Sequence, residues 1–152
     1  VNNQKTTLWS AALDNTEVKK YPDRELNHYI EFNSDQLDQT AKQYGVSRED
    51  MLKQYDLDDE DEFNAVNEDS SKLRVKQEML IQYIADKENL SYTDKEKEAL
   101  IKSFEAQGYD ADAIEQQTGR TLEDYVHIEL LYEKVLDFLL DNANITGAPT
   151  TE

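Results

Sequence analysis

The densest cluster of ionisable groups in this chain is acidic: Asp56, Asp58, Asp59, Glu60, Asp61 and Glu62, interrupted by Leu57. Closely spaced carboxylates suit a calcium loop, which also needs a glycine at its sixth position for the turn and a glutamate at its twelfth to close the shell. A loop starting at Asp56 has Asp61 and Asn67 at those positions, and one starting at Asp58 has Phe63 and Asp69. Both frames fail, so the run reads as a solvated helix start, where carboxylates meet the partial positive charge of the helix end. The two histidines, His28 and His127, sit among ordinary helical neighbours such as Glu25 and Glu31, or Glu123 and Asp124, with no HExxH pattern. With no cysteine, disulfides, thiol catalysis and cysteine-type zinc sites are excluded. No G-x-S-x-G, P-loop or G-x-G-x-x-G pattern occurs. No catalytic residue, metal site or cofactor is therefore nominated, and the chain reads as non-enzymatic.

The charge balance narrows the partners. The chain carries 34 acidic against 16 basic residues, a formal charge of −18. Such a field repels phosphate backbones and anionic membrane surfaces, so neither nucleic acid nor membrane is an expected partner. It favours solubility and basic partners. No apolar run reaches the ~18 residues a membrane span needs. The start, Val1-Asn2-Asn3-Gln4, has neither an initiator Met nor a signal-peptide pattern, and the chain is expected to be a piece of a longer protein. Nine tyrosines remain as a chemical signal, spread from Tyr21 to Tyr132. A ring with a polar tip suits a surface that is both wet and adhesive, or the edge of a thin helical layer.

These residues must be positioned by helices. Leu8, Trp9, Ala12 and Leu13 predict a first helix over about Thr7 to Asn15. An extended link, Val18 to Tyr21, precedes Pro22. Leu26, Tyr29, Ile30, Asn33, Leu37, Thr40, Ala41 and Tyr44 form a stripe over Asp23 to Tyr44. Such a helix reaches ~33 Å at ~1.5 Å per residue, long enough to be an arm. Ser47 to Asp50 starts a short helix carrying Met51, Leu52 and Tyr55. A long helix over Glu60 to Lys87 has an expected face of Phe63, Val66, Ser70, Leu73, Gln77, Leu80, Ile81 and Ile84. Thr93 to Glu96 opens a helix with Leu100, Ile101 and Phe104, and a small piece follows over Ala111 to Thr118. The last helix starts at Thr121 and is apolar on several sides, as a central post would be. Gly45, Gly108 and Gly119 stand where helices stop. No two-residue alternation or hairpin signal competes. The expected fold is all-α and elongated, with arm-like helices joined by short capped turns. It covers residues 1–145, and a disordered tail is expected over 146–152.

The order of these segments resembles a known family. Leu8-Trp9 followed by Val18-Lys19-Lys20-Tyr21-Pro22 is similar to its hydrophobic helix end and the entry to its long arm helix. Tyr44-Gly45-Val46-Ser47 with Met51-Leu52 resembles its next turn. Arg74-Val75-Lys76, running on to Ile84-Ala85-Asp86-Lys87-Glu88 and Leu90-Ser91-Tyr92-Thr93-Asp94, resembles its central helix and the turn after it. Lys134-Val135-Leu136-Asp137-Phe138-Leu139, with Ala143 to Thr146, resembles its closing segment. The family is bacterial trigger factor, and the resemblance covers its C-terminal part, from about Leu8 to Thr146. It implies a helical cradle that shelters unfolded chains, attached in the family to a ribosome-binding domain and a prolyl isomerase domain. Neither the G-F-R-x-G ribosome-docking motif nor anything like the isomerase is present, so those activities would belong to other parts of a parent protein.

The resulting expectation is a chaperone domain for unfolded or nascent polypeptide, with ribosome contact only through parts outside this chain. Tyr29, Phe32, Tyr55 and Phe63 are the nominated client contacts. The competing reading is a scaffold in which the same stripes pair with a second copy to make a homodimer. The resemblance implies a cytoplasmic location, or an extracytoplasmic one if the parent carries a signal peptide.

Overall fold

A computed structural model describes residues 2–143. The described residues form seven helices and no strand: α1 (Asn2–Asp14), α2 (Asp23–Tyr44), α3 (Arg48–Gln54), α4 (Glu60–Glu88), α5 (Asp94–Ala106), α6 (Ala111–Thr118) and α7 (Leu122–Asn142). The helix bounds follow the punctuation of the sequence. Ser47, Thr93 and Thr121 accept from the backbone N–H groups of Asp50, Glu96 and Asp124. Asp59 and Asp110 cap α4 and α6 in the same way. Helix α1 starts earlier than its apolar residues suggest, because Asn2 to Thr6 continue it as a polar turn. The expected tail over 146–152 lies outside the described residues.

Two apolar clusters hold the molecule. The body gathers Trp9 and Leu13 of α1, Leu80, Ile81 and Ala85 of α4, and Leu131 and Val135 of α7. Trp9 meets Tyr132 edge-on, with ring centroids 5.1 Å apart. Helix α7 packs against α1, α4, α5 and α6, which makes it the post that its all-round apolar sequence predicts. The second cluster sits at the far end of the arm, where Leu37 and Ala41 of α2 close on Met51 and Leu52 of α3, flanked by Val46, Leu57 and Phe63. Helix α4 spans both clusters; its 29 residues reach ~43 Å at ~1.5 Å per residue.

Between the clusters, the face of α4 differs from the expected one. Val66 and Leu73 are 52% and 51% exposed, while Asn67 and Ser71 are buried. The polar pair wins the interior because α2 supplies matching partners. Asn33 Nδ2 donates to Asn67 Oδ1 (2.8 Å) and to Ser71 Oγ (3.2 Å), and Asn67 Nδ2 donates to the Ile30 carbonyl (2.9 Å). A buried polar group that is fully paired escapes the desolvation penalty of an orphan, and no buried side-chain nitrogen or oxygen is left unpaired among the described residues.

One turn further along, the arm is bolted to the body by charge. Tyr29 is 2% exposed, and its hydroxyl donates to Glu78 Oε1 at 2.9 Å. Arg120, in the α6–α7 turn, donates from both Nε and Nη2 to the same Glu78 carboxylate. The guanidinium of Arg74 lies 4.0 Å from the Tyr29 ring centroid and that of Arg120 lies 5.5 Å from it. The C-terminal carbonyls of α6, which no helical partner satisfies, accept from the arm. Gln36 Nε2 donates to Gln116 O (2.9 Å), Arg74 Nη2 to Thr118 O (2.5 Å), and His28 Nε2 to Gly119 O (2.5 Å). A carbonyl only accepts, so Nε2 of His28 carries a proton. The guanidinium of Arg74 also suits the negative end of a helix.

Gly119 is built into this junction. It takes φ +70°, and a Cβ there would stand 2.9 Å from the Phe32 ring. Gly119→Ala should therefore combine backbone strain with a clash and lower unfolding stability by about 1–3 kcal/mol, read as a fall in the urea midpoint at constant slope.

The turn before α5 is held electrostatically as well. Glu96 accepts from Lys134 Nζ of α7 at 2.5 Å and from Thr93 N at 2.8 Å, closing a capping box. The Lys134 hydrogen bond, followed by those from Thr93, lowers the Glu96 carboxyl to about 2. A carboxyl depressed on folding adds stability above its unfolded pKa and loses it as pH falls towards the folded value. The stability advantage of the natural chain over Glu96→Gln should hold at neutral pH and fade between pH 4.5 and about 2, as measured by thermal unfolding of both proteins.

Candidate functional site: an open groove on the arm

The arm carries a groove of about 420 Å³ between α2, the α3–α4 turn and the start of α4. Leu37, Tyr55, Leu57, Phe63 and Val66 give it apolar surface, and Asn33, Gln36, Thr40, Asn67 and Ser70 supply neutral hydrogen-bonding groups. No ionisable carboxylate or ammonium lines it. Tyr55 ends α3 and is 57% exposed; Val66 stands on the outer side of α4 at 52%. Such a surface can hold apolar side chains while offering amides and hydroxyls to a peptide backbone.

The sequence-nominated contacts separate here. Tyr55 and Phe63 come together in the groove. Phe63 is half-buried beneath Arg48, whose guanidinium lies 5.0 Å from the ring centroid. Phe32 is half-buried on the other side of the arm, against Gly119. Tyr29 does not have the surface position that a client contact needs. Its ring fills the arm–body junction, and burial, reinforced by the Glu78 carboxylate, pushes its phenol pKa up. Val66, which also faces the groove, belongs to the α4 face that apolar periodicity predicts to be inward. The only sequence sign of its exposure is that Asn67 and Ser71, four residues apart, can form a competing polar face.

The acidic run lies beside this groove and is occupied with local structure. Asp59 Oδ1 accepts from Glu62 N (3.0 Å), and Glu62 Oε2 accepts from Asp58 N (2.7 Å). Glu60 pairs with Arg48 Nε at 2.7 Å, while Arg48 Nη1 reaches Asp38 Oδ1 at 2.8 Å. The Glu60 hydrogen bond leads in raising the Arg48 pKa. The arginine thus clamps α2, α3 and α4 together at the arm tip and roofs Phe63. His127 bridges Tyr92 (2.8 Å from Nδ1) and Gln82 (3.3 Å from Nε2), so both of its nitrogens take part in packing α7.

A polar-centred helical arm with an open neutral groove thus stands on a body built around one apolar post. The family model described as the C-terminus of bacterial trigger factor protein matches residues 1–141. Similar curated proteins carry the name trigger factor. That of Staphylococcus saprophyticus is 28% identical over 148 residues, 95% of this chain and 32% of the relative. Those of Bacillus licheniformis and Bacillus mycoides are 31% and 29% identical over 108 and 109 residues, about 70% of this chain and 25% of each relative. The chain thus spans a quarter to a third of the length of the relatives it matches. No solved structure matches. This chain belongs to the trigger factor C-terminal family.

Proposed function

We propose that this chain is a chaperone module that holds unfolded or nascent polypeptide in the arm groove, in a cytoplasmic setting. The observation that carries the reading is the neutral groove with Tyr55 and Val66 more than half exposed on a chain of charge −18. Exposed apolar surface normally invites self-association; the surrounding carboxylates oppose it through like-charge repulsion. A client segment would place one or two apolar side chains against Tyr55, Leu57, Phe63 and Val66. The side-chain oxygens of Asn33, Gln36 and Thr40 would accept from its backbone N–H groups, since Asn33 Nδ2, Gln36 Nε2 and Thr40 Oγ1 already donate within the fold. Many such contacts, each weak, favour rapid capture and release over tight binding. Family membership supports this reading, and it assigns no reaction to these residues.

The test is suppression of aggregation of a refolding model protein at near-equimolar ratio. The natural chain should suppress it, and the double variant Tyr55→Ala/Val66→Ala should be several-fold less effective while circular dichroism shows unchanged helicity. Both positions are exposed and helical or helix-terminal, so alanine there leaves the core intact. Equal suppression by both proteins would remove the groove from the account, and no suppression by either folded protein would remove the chaperone reading.

A further inference from the structure

A second groove, on a different face, has the opposite charge character to the molecule that carries it. The link between α1 and α2 runs along α4 and leaves an open groove of about 490 Å³, floored by Val18, Met79, Leu80 and Tyr83. Tyr83 is 60% exposed and Met79 36%, so the floor is accessible. Its rim is basic: Lys19 and Lys20 from the link face Lys76 from α4, against the single carboxylate of Glu17. Lys87 extends the same side, with its ammonium 5.7 Å from the Tyr83 ring centroid.

The chain has 34 acidic residues to pair with 16 basic ones. Lys19, Lys20 and Lys76 take no salt-bridge partner among the described residues; Lys42, Lys87 and Lys95 take none either, but Lys19, Lys20 and Lys76 are the ones gathered around one apolar floor. Three unpaired ammonium groups around an apolar floor form a local positive site within a strongly negative field. Screening over ~8 Å at physiological salt lets such a site act independently of the distant carboxylates.

We propose that this groove is a second client subsite, selective for polypeptide segments in which acidic residues flank an aliphatic or aromatic side chain. The inference rests on the chaperone reading and refines it, because the net charge of −18 alone predicts a preference for basic clients. The apolar residue of the segment packs on Met79 and Tyr83, and its carboxylates pair with Lys19, Lys20 and Lys76. A second copy of this chain is a weaker occupant, since two bodies of charge −18 repel before its acidic run could enter the groove.

The experiment uses short fluorescein-labelled peptides with one Leu-Phe core flanked by Glu, by Gln or by Lys, titrated with the natural chain and followed by anisotropy. The Glu peptide should bind about tenfold more tightly than the Gln peptide, with an advantage that shrinks between about 0.15 M and about 0.5 M salt. The triple variant Lys19→Glu/Lys20→Glu/Lys76→Glu should abolish that order. An equal change in net charge placed elsewhere, at Lys42, Lys95 and Lys102, should preserve it. Equal binding of the Glu and Gln peptides, or loss of the preference in both triple variants, overturns the proposal. A dimer seen by light scattering that the groove variant alone dissolves overturns it in favour of a second copy. If the Gln peptide binds and aggregation suppression persists without any acidic preference, this inference fails and the chaperone reading stands. If suppression is absent while the Glu peptide still binds at the lysines, the chaperone reading fails and the groove is an acidic-peptide site of another kind.

Discussion

The structure depends on one half-buried carboxylate, Glu78, which accepts from the Tyr29 hydroxyl on the arm and from Arg120 on the body. The two apolar clusters are separate, one in the body and one at the arm tip. A continuous apolar seam would bury more surface but would allow the helices to slide. Directional hydrogen bonds and a two-point guanidinium–carboxylate contact specify register more sharply. The Asn33–Asn67–Ser71 group continues the same logic towards the tip, and the α6 carbonyls held by Gln36, Arg74 and His28 continue it into the body.

This division of labour explains why apolar side chains are left outside. The interior of the arm is narrow and partly filled by amides and hydroxyls, so Val66 and Leu73 have no core to enter. They remain on the surface of a helix that is stabilised by other means. The proposed chaperone reading needs such surface, and like-charge repulsion among the excess carboxylates opposes self-association. The Arg48 clamp protects the tip, where Phe63 would otherwise add a further exposed ring.

The sequence displays the helices better than their faces. Helix α2 runs over the residues its stripe predicts, because Pro22 and Gly45 mark its ends and Leu37 and Ala41 face an apolar partner. The three Ser/Thr caps and the all-round apolar α7 are similarly legible, since each depends on neighbours close in sequence or on the helix itself. The inner face of α4 is not, because apolar periodicity cannot reveal that Asn67 and Ser71 find Asn33 more than 30 residues away. Tyr29 stands on the α2 stripe, so its inward position is legible, but its role in the junction is not. That junction depends on Glu78 and Arg120, and nothing local to Tyr29 announces either. Of the nominated contacts, Tyr55 and Phe63 are the pair whose neighbours at the tip are local enough to bring them together.

The central claim is that the Glu78 junction sets the position of the arm. The chain has no cysteine, so single spin labels can be introduced at Lys53 on the arm tip and Glu133 on the exposed side of α7 without background. Electron–electron distance measurement should give one narrow distribution with Glu78 in place and a broadened one with Glu78→Ala, while both proteins keep the helicity of the natural chain. The same narrow distribution in both proteins would show that the arm is held by something other than this carboxylate.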